Sequence, residues 1–311
     1  MKLPRFKPML ATKKRLPFDD PAWAFELKLD GIRCLWSWNG DKAELRSRSG
    51  LLMNGSYPEL LHFRPPVPCV LDGEIIAFGD DGNPSFGLLQ GRMHPSPGTA
   101  PAQVAFVVFD VLYWDEDVTR RPLQERRQVL EAIELPTPFV LSDQVVGEGT
   151  ALFKAVVERD LEGIVAKRLD STYASGRRSD SWVKVMHRKA MRAVVGGYLP
   201  GTGWREQTFG SLALGLWSGD QLRYIGNVGS GFSDSDVRAI ADAFRHMQHD
   251  ATPFHDDATV PQETVFVIPS LVAHVEYANW TNDAHLRAPV FKGFGGEPHA
   301  DVTWEAEGPE A

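Results

Sequence analysis

Cysteine is almost missing: Cys34 and Cys69 are the only two in 311 residues. Two thiols exclude a four-thiolate zinc site, and a single disulfide is an unusual staple for a chain of this length, so both read as reduced core residues. Also missing is any run near the roughly 20 apolar residues that a membrane helix needs. The opening segment, Met1 to Ala11, carries basic groups but no apolar stretch follows it, which points to a cytoplasmic protein with no membrane partner. Nor is there an excess of positive charge. The formal net charge of −8 gives no global pull toward nucleic acid, so any such contact must rest on local patches. Lys13-Lys14-Arg15, Arg120-Arg121, Arg126-Arg127, Arg177-Arg178 and the run Lys184, Arg188, Lys189, Arg192 are the candidates, and each taken alone reads as a solvated face. Repeats and low-complexity segments are absent. What remains is ordinary globular composition, 43% hydrophobic and 24% charged, in a length that suits two domains.

The two halves differ in texture. Up to about residue 188 the pattern is short strands punctuated by turns, with a few helices. Ile32 to Trp38 and Lys42 to Arg48 flank Asn39-Gly40, a hairpin signal that returns Arg46 and Arg48 on one face. Val70 to Phe78 reads as a strand with Asp72 and Glu74 on a shared face, closed by Gly79-Asp80-Asp81-Gly82, and Ala105 to Leu112 as a central strand. Leu123 to Ile133, with Pro122 at its start, and Thr150 to Arg159, with a stripe of Leu152, Phe153, Val156 and Val157, read as helices. Gly163 to Lys167 and Trp182 to Val185 close this half as strands. Beyond it come glycine-rich hairpins: Val194 to Tyr198, Leu212 to Trp217, Leu222 to Val228 and Thr264 to Ile268, with one helix capped by Ser233 and Asp236. About five strands and one interposed helix form the pattern of a small closed barrel such as an OB-fold.

Glu26-Leu27-Lys28-Leu29-Asp30-Gly31-Ile32-Arg33 carries the most chemistry. Phe25, Leu27 and Leu29 alternate with Glu26, Lys28 and Asp30, which predicts a strand edge burying the first set and presenting the second. A lysine attacks phosphorus only after losing its proton, which desolvation and neighbouring cations arrange. Gly31 lets backbone pass close to a phosphate-bearing ligand, and Arg33 supplies a planar donor fork. Along the chain follow Arg46-Ser47-Arg48-Ser49-Gly50, Asp72-Gly73-Glu74, Phe109-Asp110-Val111-Leu112-Tyr113, Glu162-Gly163-Ile164-Val165-Ala166-Lys167 and Trp182-Val183-Lys184.

This ordered series resembles the covalent nucleotidyltransferase superfamily and, within it, the ATP-dependent DNA ligases; it covers nearly the whole chain. The run from Phe109 through Pro122-Leu123 to Arg126-Arg127, and the opening Pro8-Met9-Leu10-Ala11, favour ligases over capping enzymes. The implied fold is α+β: a nucleotidyltransferase (ATP-grasp-like) domain of antiparallel sheets with flanking helices over 1–188, then an OB-fold β-barrel over 189–311. The resemblance implies that Lys28 attacks the α-phosphorus of ATP, that Glu26 contacts the adenine edge and that Phe109 stacks on the base. Arg33 and Arg48 would meet the ribose, the phosphate or the nick, and Glu74 the ribose. Glu162 would hold Mg²⁺ or Mn²⁺, and Lys167 and Lys184 would ring the phosphate and depress the pKa of Lys28.

Two places depart from the family pattern. A second lysine usually stands where this chain has Met186, and Leu286-Arg287-Ala288-Pro289-Val290-Phe291 leads to Gly295-Gly296-Glu297-Pro298 in place of an arginine and an Asp-Lys pair. The adenylation step is the one affected, with Lys292 or Arg287 as nearby substitutes. The resemblance implies a ligase that seals nicked or broken DNA in repair, similar to short bacterial ligases and to the ligase module of bacterial end-joining proteins. Its partners would be repair polymerase, primase-like or end-binding proteins. NAD is disfavoured, since no four-cysteine module is present. Alternatives are an RNA ligase or capping-type nucleotidyltransferase, and a non-catalytic nucleic-acid-end binding protein.

Overall fold

The computed structural model describes residues 2–79, 86–93, 102–203, 206, 208–255, 259–281 and 283–309. The turn expected at Gly79-Asp80-Asp81-Gly82 lies largely outside them. Contacts divide the chain into two compact units, Met1–His187 and Arg188–Ala311. No helix among the described residues is long and apolar enough to cross a membrane.

The first unit is built on two sheets. One contains β1 (Leu10–Lys14), β2 (Asp20–Leu27), β9 (Val145–Gly147), β10 (Gly163–Arg168) and β11 (Arg178–Met186), in the order β1-β11-β10-β2-β9. The other contains β3 (Ile32–Trp38), β4 (Ala43–Ser47), β5 (Cys69–Ala77), β6 (Val104–Trp114) and β7 (Glu116–Asp117) in the order β4-β3-β5-β6-β7, with β8 (Phe139–Leu141) beside β6. The sheets are mixed and not wholly antiparallel: β1 runs parallel to β11 and β8 parallel to β6. Both pairings join strands separated by long connections, which is what a parallel ladder requires. Helices α1 (Phe86–Met93), α2 (Leu123–Glu131) and α3 (Gly149–Glu158) complete the unit; α1 had no sequence expectation.

Local rules account for much of this. Asn39 Oδ1 accepts from the Asp41 and Lys42 amides at 2.8 and 2.7 Å, and Gly40 takes φ +92°, so the β3–β4 hairpin forms where its turn residues are. Alternation along β4 sends Ala43 and Leu45 into a core with Trp36, Leu71, Phe106 and Phe139, leaving Glu44 and Arg46 on the opposite face. On α3 the expected stripe holds for Val156, with Leu152 and Phe153 packed beside it, but Val157 is exposed. Cys34 and Cys69 are free and buried.

The strand pattern around Lys28 is corrected. Glu26 is buried and Leu27 is exposed, the reverse of the alternation expectation, and β2 is not an edge because β10 and β9 flank it. A buried cation, Lys167 on β10, supplies the partner that offsets the cost of burying Glu26.

The second unit contains β12 (Lys189–Pro200), β13 (Phe209–Ser218), β14 (Gln221–Val228), α4 (Asp234–Arg245), β15 (Val265–Tyr277), β16 (Val290–Gly295) and the short α5 (Trp304–Glu307). Its strands are longer than expected from the sequence, and β16 was not anticipated. The helix falls between the third and fourth strands, and the sheet order is β14-β13-β12-β15-β16. Among the described residues the expected closed barrel is not formed, because no ladder joins β14 to β16. Instead Ile225 O accepts from Leu286 N at 2.8 Å and Ser230 O from Phe291 N at 2.8 Å, two contacts made outside a regular strand pairing. At α4 the expected capping box is present: the Asp236 amide donates to Ser233 Oγ at 3.2 Å and the Ser233 amide to Asp236 Oδ2 at 2.9 Å.

Candidate nucleotide site

A cleft of about 210 Å³ in the first unit is lined from both sheets. Glu26 and Leu27 on β2, Lys167 on β10, and Trp182 and Lys184 on β11 form one wall; Arg33 on β3, Glu74 on β5 and Phe109 on β6 form the other. Lys28 and Arg48 stand at strand ends. All eight residues expected to touch the nucleotide or to react line this one cavity, although Lys184 lies 156 positions from Lys28 in the sequence.

Lys28 follows the last residue of β2, its amide donating to Gly163 O at 2.9 Å. Because β2 and β10 pair with Leu27 opposite Ile164, Glu162 is brought alongside. Lys28 Nζ donates to Glu162 Oε2 at 2.7 Å, with both side chains 22% exposed. Glu162 therefore stands beside the cleft against the Lys28 amine.

Deeper in, Lys167 Nζ donates to both Glu26 oxygens at 2.8 Å, and Ser142 Oγ donates to Glu26 Oε2 at 3.2 Å. The Lys167 ammonium also lies 4.2 Å from the Phe109 ring centre and 4.6 Å from that of Trp182. Burial pulls the Lys167 pKa down, opposed by Glu26. Lys167 thus forms the floor with Glu26, and is not a free cation at the mouth.

Arg33 is fixed by Asp72, with Nε to Oδ1 at 2.8 Å and Nη2 to Oδ2 at 2.7 Å. Tyr173 donates its hydroxyl to Asp72 Oδ2 at 2.5 Å and accepts from the Met9 amide at 2.8 Å. The guanidinium is 4.7 Å from the Phe109 ring centre. Asp72 and Tyr173 were missed as supports. The signal for Asp72 was present in its shared face with Glu74, whereas nothing local marks Tyr173, which meets Asp72 only in the folded chain.

Glu74 is pushed up to about 8, first by burial and then by the Asp72 and Glu162 carboxylates, against Arg33 and Lys28. Lys184 is lowered, first by burial and then by Lys28 and Lys13. Gly31 is needed for a different reason than expected: a Cβ there would sit 2.3 Å from Ile75 O and 2.8 Å from Glu74 Cγ, so the close approach is to β5. Met186, at the end of β11, faces Gly163.

Among the described residues no group of three or more His, Cys, Asp or Glu side chains is placed to hold a metal ion by itself. Mg²⁺ commonly uses one or two carboxylates together with substrate phosphates and waters, so the partly exposed Glu162 beside the cleft fits that donor set.

Two family profiles match the chain: the ATP dependent DNA ligase domain over residues 8–186, and the ATP dependent DNA ligase C terminal region over 205–295. The chain belongs to the ATP-dependent DNA ligase family of enzymes. It is 34% identical over 310 residues to the multifunctional non-homologous end joining protein LigD of Mycolicibacterium smegmatis, covering 96% of this chain and 40% of that protein. It therefore spans about two-fifths of that relative's length. The SPbeta prophage-derived DNA ligase-like protein LigB of Bacillus subtilis is 30% identical, over 92% of this chain and 98% of its own length. The solved structure of a mycobacterial DNA ligase D complexed with ATP and MES shares 31% identity, covers 96% of this chain and 98% of that one, and superposes with a TM-score of 0.56.

Proposed function

We propose that this chain joins breaks in DNA during repair through a lysyl-AMP intermediate, with residues 1–188 as the adenylation domain. One observation carries the reading: Lys28 is held at the rim of a single cleft that also gathers Glu74, Arg33, Phe109 and Lys184.

In the first step Lys28 Nζ forms a bond to the α-phosphorus of ATP while the bond to pyrophosphate breaks, and the amine loses a proton. In the second the 5′-phosphate of a nick attacks the same phosphorus and Lys28 leaves. In the third a 3′-hydroxyl attacks the activated 5′-phosphorus, forming the phosphodiester and releasing AMP. Phe109 offers a ring face to the base and the Glu26–Lys167 pair closes the floor beneath it. Arg33, preset by Asp72, and Lys184 place positive charge where phosphate oxygens gain negative charge. Glu162 is the residue that would hold Mg²⁺ or Mn²⁺, which when bound neutralises charge on the phosphates. Before ATP enters, Glu162 holds the amine in place.

A polymerase, a primase-like activity and an end-binding protein are the partners we propose, by analogy with the end-joining relatives. The test is to incubate the protein and Lys28→Ala with α-labelled ATP, then chase with nicked duplex. Label should move from protein to DNA to free AMP, and Lys28→Ala should take none. Label on Lys28→Ala, or label from GTP in preference to ATP, would refute the reading.

A further inference from the structure

Ser142 lines the nucleotide cleft, and no motif marks it. Among the described lining residues it carries the one hydroxyl. Its place is fixed through its backbone. The Ser142 amide donates to Val108 O at 2.8 Å, which extends the β6–β8 pairing by one residue and sets Ser142 beside Phe109 in register. Its carbonyl accepts from Arg127 Nη1 at 2.7 Å, and Arg127 Nε is itself held by Glu131 Oε1 at 2.7 Å, so α2 braces the end of β8. The residue is buried, like Glu26 and Lys167 beside it.

Polarity around Glu26 is one-sided. Lys167 Nζ has three protons, and three acceptors stand in reach: Glu26 Oε1 and Oε2, each at 2.8 Å, and Phe109 O at 3.4 Å. Ser142 Oγ has one proton. The Glu26 carboxylate takes it at 3.2 Å, and Asp143 O, at 3.4 Å, is the other acceptor in reach. In either case the proton is committed within the protein and the lone pairs of the hydroxyl remain. Trp182 Nε1 is closed off from solvent, so it presents no donor to the cavity. What Glu26, Ser142 and Phe109 O hold out to an incoming base is therefore acceptors.

We propose that Ser142 is a specificity-determining residue of the nucleotide site: its oxygen accepts from the exocyclic 6-amino group of adenine while its own proton stays on the protein. The proposal rests on the ATP reading above. A 6-keto purine brings an oxygen to the same place, sets lone pair against lone pair and leaves buried acceptors unpaired. A purine with only hydrogen at position 6 loses the bond without the repulsion. The expected order of binding is thus adenine, then unsubstituted purine, then 6-keto purine.

The experiment measures binding of ATP, purine riboside triphosphate and inosine triphosphate to wild type and to Ser142→Ala by calorimetry. Chelator is present so that no transfer occurs, and label uptake from ATP with Mg²⁺ is followed separately. Ser142→Ala keeps the backbone bonds and leaves Glu26 paired with Lys167, and its urea midpoint reports whether it folds. The ratio of ATP affinity to purine-analogue affinity should fall about three- to tenfold from wild type to Ser142→Ala, through weaker ATP binding, with the purine analogue held within about twofold. A ratio that the substitution leaves unchanged, including equal weakening of both nucleotides, overturns the proposal and makes the serine a packing residue. Should Ser142→Ala not fold, Ser142→Cys, whose sulfur is a weak acceptor, takes its place under the same outcomes. Wild type that shows the selectivity but takes no label sinks the Lys28 reading and leaves the role of Ser142 standing. Wild type that labels normally yet binds the three nucleotides alike overturns the serine alone.

Discussion

Asp110 and Arg126 meet in a two-pronged ion pair that no solvent reaches, with Nε to Oδ1 and Nη2 to Oδ2 both at 2.8 Å. Arg126 Nη1 donates further to Arg121 O at 2.7 Å and Ser171 O at 3.0 Å, so one side chain ties β6, α2 and the loop after β10 together. This corrects the reading of Arg126 as part of a surface patch: the charge is spent inside the protein. Removing one partner strands a buried charge, so Arg126→Ala or Asp110→Ala is expected to cost about 3–5 kcal/mol in urea unfolding. The combined Asp110→Leu/Arg126→Met change should cost less than either.

Glu74 gives stability a pH dependence of definite sign. With its folded carboxyl pushed up to about 8 from an ordinary 4.5, the native protein holds a proton that the unfolded chain releases between those values. This group therefore lowers stability as pH rises from about 4.5 to 8. The melting temperature of wild type should fall across that window, and Glu74→Gln should flatten the part of the slope due to this residue. A slope unaltered in Glu74→Gln would show that other groups carry it.

Replacing Phe109 separates base stacking from packing. The ring is only partly buried and sits at the cleft wall. Phe109→Leu should raise the ATP concentration needed for half-maximal labelling while leaving the unfolding midpoint within about 1.5 kcal/mol of wild type. A large stability loss with unchanged ATP dependence would make it a core residue.

Glu162→Gln removes the carboxylate while keeping its size. Labelling of Lys28 should drop on the order of 10²-fold, as with loss of other groups that stabilise developing charge, and chelation of divalent ions should abolish labelling of wild type until Mg²⁺ is restored. Wild-type labelling in the presence of chelator would argue against a metal at Glu162.

In the second unit Lys292 is paired with Glu276 at 3.1 Å on the surface, a weak tie that a phosphate can outcompete. If Lys292 and Arg287 stand in for the family's missing basic residues, Arg287→Ala/Lys292→Ala should slow self-adenylation and spare sealing of duplex supplied already adenylated. An unchanged labelling rate would remove both from the reaction.

The gathering of Lys28, Arg33, Glu74, Phe109, Lys167 and Lys184 in one cleft was legible through the resemblance that their ordered motifs carry. The hairpin at Asn39-Gly40 and the box at Ser233 were legible because their physics is local. Glu26 and Leu27 were assigned the wrong faces because alternation knows nothing of Lys167, which lies 141 positions from Glu26 and offsets the cost of burying its carboxylate. Tyr173 and the depth of Arg126 escaped for the same reason. Closure of the second sheet was over-read, since five strands and a helix describe the connectivity without saying whether the outer strands pair.

The meeting of Lys28 with Glu162 is set by the register in which Leu27 lies opposite Ile164. A slip of one position would turn the neighbouring side chains to the other face and separate amine from carboxylate. If Lys28 is the residue that takes AMP, uptake of radiolabel during refolding would therefore report the fraction of molecules that have reached this register.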